Sequence, residues 1–424
     1  NKLIEMSYIE LKKITVNGNR CEYDFEYPSE FKPYIADTSR KLYFELPDRF
    51  DITAVPEGIL AVPFVGSVMC VSMLLGLGIR VPVIDEAFYG SIPGIKAAFK
   101  KMFPYADFCF DVFANKITSC KSANCIGGGN SSLFFTGGID ATSAFIDKIS
   151  EKPTLINIWG GDLLLTDTSG REAMERYLSR LTAQTGSDFI IIKSSCRRFF
   201  NENNLEKRLG EIIKPEHNHG WWASIAHIIS MTSAIAPLLY LQNTGIHYIG
   251  SSYPQQSFGF DANNVDMVDA IKIAGCTFKM VDENLDRSGK ARKIIDYCKG
   301  NNLKVELKVC WYSTASENCC HCEKCYRTIT EIISNHADPN HYGFRFGKNG
   351  YRELHDFLKY NYVNAAFWEA NKADFLKEAD FWKKDRNMSW ILNFEFNDER
   401  RINRFRRIGR IKSIIWRIKN KVLG

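Results

Sequence analysis

Leu133-Phe-Phe-Thr-Gly-Gly-Ile-Asp-Ala-Thr-Ser143 sets a glycine pair between a short apolar run and a segment of helical spacing. An apolar run ending in glycines predicts a buried strand, and the spacing after it predicts a helix over 142–149. Glycines let the backbone come close to an anion and aim N–H groups at it. The helix that follows adds its positive end and its unpaired N–H groups. Thr136 and Thr142 can add hydroxyl donors, and Asp140 can hold a magnesium ion or orient the loop. The stretch therefore reads as a phosphate or pyrophosphate site. It is no Walker loop, because no Gly-Lys-Ser/Thr follows, and it lacks the third glycine of a dinucleotide fingerprint.

Outward from this turn, strands and helices alternate. Strands are expected at Thr154–Trp159, Phe189–Ile192 and His247–Ile249, with helices at Arg171–Thr185 and Trp221–Gln242. This alternation predicts an α/β fold, a doubly wound parallel sheet covered on both faces. Upstream, Cys21–Tyr27 and Lys41–Leu46 read as strands and Ile95–Met102 as a helix, joined to the rest through the glycine-rich stretch Cys125–Ser132. Three regions are expected: an N-terminal α+β domain over 1–128, the glycine-loop domain over 129–335, and a helical C-terminal region over 336–424. Gly58–Ile79 carries no charge and is long enough to span a bilayer. Its Pro63, its glycines and the polar segment that follows favour a buried strand-turn-helix.

The net charge is +6, yet ten of the positive charges lie between Arg400 and Gly424, where there is no Asp or Glu, so the rest of the chain is about −4. An acidic body is a poor nucleic-acid surface. In the tail, Ile402, Phe405, Ile408, Ile411, Ile415, Ile418 and Val422 fall at spacings of three and four. A basic helix with one apolar face suits a membrane surface or a protein partner. The thirteen cysteines are an odd count, with five crowded between Cys310 and Cys325. That argues against a secreted disulfide framework and for a reducing cytoplasm, with the inner-membrane periphery as the tail's destination.

Those cysteines form a second motif. Cys319-x-x-Cys322-x-x-Cys325 offers three thiolates in one tight turn, and Cys310 adds a fourth from the end of an expected strand, Val305–Val309. Four thiolates complete a tetrahedral zinc and leave no place for water, which makes such a site structural. An iron–sulfur cluster accepts the same four residues. His321 in place of Cys319 is a further ligand set. His217 and His219 also suggest a metal, but without a carboxylate set they read as loop residues.

Phe135-Thr-Gly-Gly-Ile-Asp-Ala-Thr142 resembles the Ser-Gly-Gly-x-Asp-Ser loop of the PP-loop ATP pyrophosphatase superfamily, with Thr136 at the first serine and Ala141 at the second. The cysteine spacing, with Arg327 two residues after the last ligand, resembles the zinc site of the 7-cyano-7-deazaguanine synthase branch. Together the motifs cover about residues 130–330. The resemblance implies a HUP-type fold that binds ATP and Mg2+, with Thr136, Gly137, Gly138, Ile139, Asp140, Ala141 and Thr142 around the pyrophosphate. It implies Trp159 and Asp162 near the adenine and ribose, and an acceptor contact in Gly250–Gln256. Asp140, Arg287, Lys290 and Arg327 would neutralise charge during reaction. The activity implied is that of an ATP-dependent ligase, in which a small carboxylate or sugar-acid acceptor is adenylated, pyrophosphate leaves, and ammonia or an amine captures the intermediate. Surface-polysaccharide or deazapurine-like metabolism would suit it, and a homodimer is a further expectation. A non-catalytic nucleotide-binding scaffold, which Ala141 permits, and a tRNA-modifying thiolase are the alternatives.

Overall fold

The computed structural model describes residues 7–120, 130–252, 260–310, 317–400 and 403–404. The chain divides into two compact units, the first running to Asp286 and the second starting at Arg287.

Eleven strands of the first unit make one sheet. They are β1 (Tyr8–Asn17), β2 (Arg20–Glu26), β3 (Leu42–Glu45), β4 (Gly78–Asp85), β5 (Asp111–Thr118), β6 (Asn130–Phe134), β7 (Thr154–Trp159), β8 (Phe189–Ser194), β9 (Thr244–Gly250), β10 (Lys272–Ile273) and β11 (Cys276–Val281). Their order is β10-β11-β9-β6-β7-β8-β3-β2-β1-β4-β5. The fold is α/β, but the sheet is mixed rather than wholly parallel. β11, β9, β6, β7 and β8 run parallel, as do β1, β4 and β5, while β1–β2, β2–β3, β3–β8 and β10–β11 pair antiparallel. A two-residue turn at Gly18 and Asn19, with Gly18 at φ +61°, reverses the chain between β1 and β2. So short a connection permits only an antiparallel pair. Strands on both sides of residue 128 thus belong to the same sheet.

β7 is buried at four successive positions, Leu155 to Ile158, as befits a strand covered on both faces. From β6 the chain steps to β7 and β8 on one side, then returns to β9 and β11 on the other. The carboxyl ends of β6 and β9 therefore form a topological switch point, where open α/β sheets bind ligands.

Gly58–Ile79 is helix first and strand second. Glu57–Leu60 and Val62–Leu75 are helical, Gly76 turns the chain at φ +66°, and β4 follows. Trp221–Gln242 is not one continuous helix. A π-helical turn at Trp222–Ala226 leads into His227–Ala234, and a new helix, Ala236–Leu241, begins around Pro237. Proline has no N–H for an i→i−4 bond, which is why the helix restarts there. Among the described residues, two stretches, Glu57–Leu75 and Trp222–Leu241, are long and apolar enough to cross a membrane, yet 94% and 78% of those windows are buried inside the protein. Both behave as core helices.

The second unit is helical, with Arg287–Asn301, Glu323–Ser334, Gly350–Tyr360 and Ala365–Lys377 as its longest helices. Val305–Val309 is not a strand. It is irregular chain, tethered by the Leu307 N–H to the Tyr342 carbonyl at 2.9 Å. The amphipathic tail from Arg400 lies almost wholly outside the described residues.

Candidate nucleotide and metal sites

In the first unit β6 ends at Phe134, and the Phe135 N–H donates to the Ile156 carbonyl on β7 at 2.8 Å. Asn157 of β7 donates its side-chain amide to the Phe135 carbonyl at 3.0 Å. Gly137 then takes φ +77°, a left-handed conformation that costs glycine least. Gly138 caps a helix over Ile139–Lys148, so the expected helix starts three residues earlier than its spacing predicted. Thr136 is exposed and Asp140 half-buried in the first turn, where an acidic side chain suits the helix's positive end. The N–H groups of Ile139, Asp140 and Ala141 belong to that first turn, where helix N–H groups point outward along the axis.

Thr142 is fully buried, and its hydroxyl has no partner among the described residues. Ser143, also fully buried, donates to Asp282 Oδ2 at 2.5 Å. Asp282 stands just after β11 with φ +64°, so this bond pins the helix to a strand end two strands away. On the other side of the turn, Gly250 closes β9 directly against the Asp140 backbone. A Cβ at Gly250 would lie 2.6 Å from the Asp140 carbonyl oxygen. Ser143, Asn157 and Asp282 escaped sequence reading, because nothing local distinguishes them from other polar residues.

Trp159 ends β7 and donates its indole N–H to the Leu164 carbonyl at 2.7 Å. Asp162 is largely exposed and pairs with Arg197 at 2.7 Å. Arg197 also bonds Glu202 at 2.5 Å and lies over the Trp222 ring, 4.4 Å from its centroid. His217 bonds the Tyr105 hydroxyl at 2.7 Å and stacks on Phe260. Of the loop Gly250–Gln256, residues 253–256 lie outside the described residues, as does most of the Cys125–Ser132 join.

In the second unit Cys310, Cys319, Cys322 and Cys325 bring their sulfurs within 4.8 Å of one another, the one such metal-ready group among the described residues. Cys310 and Cys322 are 3.9 Å apart, as are Cys319 and Cys325. Four sulfurs at about 2.3 Å around a tetrahedral ion would stand about 3.8 Å apart, whereas a disulfide needs about 2.05 Å. The spacing fits a metal.

Cys322 caps the helix Glu323–Ser334, and its sulfur accepts from the Cys325 N–H; the neighbouring Cys325 thiol and this N–H hold its pKa well below the usual thiol range. Cys320 and His321, the two spares, point elsewhere. Cys320 sits at φ +62° with its sulfur on the Arg345 N–H, and His321 Nδ1 lies 2.5 Å from the Cys319 carbonyl. Asn318, buried and missed from sequence, holds the two halves of the quartet together. Its Oδ1 accepts from Val309 and Cys310 at 3.0 and 3.3 Å, and its Nδ2 donates to Leu307 and Gly343 at 2.7 and 3.0 Å.

The same unit contains the three expected cations. Arg287 Nε lies 3.0 Å from both carboxylate oxygens of the buried Glu331, and Arg287 also donates to Thr328 at 3.0 Å. Lys290 is fully buried. Arg327 lies over the Phe367 ring, 4.2 Å from its centroid, and its carbonyl accepts from Asn371.

No protein-family model matches the chain, and no curated protein matches it.

Proposed function

We propose that the first unit binds ATP at the turn 136–142 and that the protein is a PP-loop ligase. It would adenylate a small acid, release pyrophosphate and pass the activated acid to ammonia or an amine. The observation that carries this reading is a glycine turn at the switch point, with Gly137 left-handed and Gly250 admitting no side chain opposite it. The sub-order β11-β9-β6-β7-β8 supports a HUP-type arrangement, since two strands lie on each side of the first, β6.

On this reading the first-turn N–H groups and the Thr136 hydroxyl hold the leaving pyrophosphate. Magnesium, with one carboxylate ligand from Asp140 and the rest from phosphate and water, would neutralise phosphate charge. Trp159 borders the adenine side, and Asp162 acts there only if Arg197 releases it. Catalysis then comes from positioning and charge stabilisation. The cysteine quartet takes zinc in a closed, structural role. The odd cysteine count supports a cytoplasmic protein.

A second reading, nucleotide binding without turnover, is favoured by one pair of facts: Ala141 has no hydroxyl, and that of Thr142 is buried. Pyrophosphate release from ATP against a panel of small acids and ammonium separates the two. Release with any acid supports the ligase; ATP binding with no release across the panel supports the scaffold; no ATP binding defeats both.

A further inference from the structure

A second set of buried polar groups lies beside the switch point, on residues that the nucleotide reading does not use. The turn Asp261–Asn264 is fastened to the π-helical turn Trp222–Ala226 by the Ala262 N–H, which donates to the Ala223 carbonyl at 2.9 Å. A π-helical turn inside a helix is strained and recurs at functional sites. Here it precedes His227, whose ring lies 5.4 Å from that of Trp222. Asp261 is 8% exposed, and its Oδ1 accepts from the Asn263 N–H at 2.8 Å. His227 and His219 lie within electrostatic reach of its carboxylate. Burial raises the Asp261 pKa, and the Asn263 N–H, followed by the charges of the two imidazoles, offsets part of that rise.

Asn263 is 4% exposed. Its Nδ2 donates to the Gly250 carbonyl at 3.2 Å and to Ser252 Oγ at 2.9 Å, while its Oδ1 has no partner among the described residues. A buried acceptor with no donor calls for a ligand or an ordered water. Gly250, which Asn263 grips, is the residue packed on Asp140 of the glycine turn. The carboxylate and the unmet amide oxygen thus lie one strand end away from that turn. Asp261, His219 and His227 do not gather as a metal group; among the described residues only the cysteine quartet does. An anionic acceptor and a neutral acceptor, both desolvated, fit a small cation rich in N–H donors.

We propose that Asp261 and Asn263 form a subsite for ammonium or a primary alkylammonium. Its role rests on the ligase reading: the bound nitrogen is the nucleophile. One N–H bond breaks and the proton passes to the Asp261 carboxylate. The freed lone pair forms a C–N bond to the carbonyl carbon of an acyl adenylate. The C–O bond to AMP breaks and its electron pair leaves with AMP, while the nitrogen, cationic once bonded to carbon, loses a second proton to solvent.

The test is calorimetric titration of the full chain with methylammonium chloride, and with tetramethylammonium chloride at equal ionic strength. Saturable binding of methylammonium alone is expected, weakened at least tenfold by Asp261→Asn and at least threefold by Asn263→Ala. Should Asp261→Asn not fold by circular dichroism, Asn263→Ala decides. Absence of saturation, equal binding of tetramethylammonium, or undiminished binding in the folded variants overturns the subsite. Pyrophosphate release from ATP is measured in parallel. Methylammonium binding without any release leaves the subsite standing and sinks the ligase reading; release without methylammonium binding sinks the subsite alone.

Discussion

Gly250 closes on the backbone of Asp140 so tightly that a Cβ would stand 2.6 Å from the Asp140 carbonyl oxygen and 3.1 Å from the Ala141 nitrogen. Backbone atoms at the start of a helix have little freedom to retreat. Gly250→Ala should therefore cost about 1–3 kcal/mol, as other overpacked sites do. Thermal unfolding of the variant should show a lower midpoint, and ATP binding should weaken with it because the glycine turn is displaced. An unchanged midpoint would mean that the two segments are not in contact.

Asn318 joins the halves of the cysteine quartet through four backbone hydrogen bonds. Asn318→Ala strands buried donors and acceptors, each worth about 1–3 kcal/mol when left unmet. Metal affinity, measured by competition with a chromogenic chelator, should fall by roughly 10–100-fold, the range for groups that orient ligands. Retention of full affinity would show that the cysteines hold their arrangement unaided.

Cys320 and Cys322 are two residues apart but have different duties. Cys322 belongs to the quartet, whereas the Cys320 sulfur lies 3.1 Å from the Arg345 nitrogen. Elemental analysis should find one metal per chain in Cys320→Ser and a loss of metal in Cys322→Ser. Chelator treatment of the unmutated protein should destabilise it, since a structural metal's binding energy is folding energy. The reverse pattern in the two serine variants would require a different ligand set.

His247 makes a pH prediction. It is wholly buried between Phe134 and Phe278, with Nδ1 2.8 Å from Ser132 Oγ. Burial lowers its pKa to about 3. The unfolded chain takes up this proton near pH 6.5 and the folded protein only near 3. The unfolded state thus binds more protons across that window, and stability must fall as pH falls through it. The slope from this residue approaches about 1.4 kcal/mol per pH unit in mid-window. Denaturant unfolding between pH 7 and 4 should show the slope, and His247→Gln should flatten it. An equal acid slope in the variant would assign the effect to other groups.

Arg287 and Glu331 make a largely buried ion pair, with the Glu331 side chain 1% exposed. Removing one partner of such a pair costs about 3–5 kcal/mol, because the remaining charge is stranded. Glu331→Gln keeps the shape and some hydrogen bonding, so a loss near the lower end is expected in denaturant unfolding. A change below about 0.5 kcal/mol, typical of exposed positions, would place the pair in solvent.

Elements built from neighbouring residues were legible in the chain. The strand, glycine turn and helix over 133–148 follow from an apolar run, a residue tolerant of positive φ and a helical period, all inside one short window. The Cys-x-x-Cys-x-x-Cys turn follows from spacing alone. The buried fate of Gly58–Ile79 was also readable, although the order of helix and strand within it was not, because a continuous apolar run carries no period to tell one from the other.

What only the tertiary structure decided depends on segments far apart in sequence. β3 pairs with β8 across about 150 residues, which makes one mixed sheet of strands on both sides of residue 128. Ser143 meets Asp282, and Asn318 reaches Leu307 and Gly343. Asp261 comes within electrostatic reach of His219 and His227. Local periodicity records which face of a segment is apolar; it does not record which distant segment will cover that face. By itself the sequence determined the glycine turn and the cysteine spacing, since both are short-range. Their polar supports were decided by packing, because a buried Asn, Ser or Asp acquires its role only when a remote backbone comes within hydrogen-bonding distance.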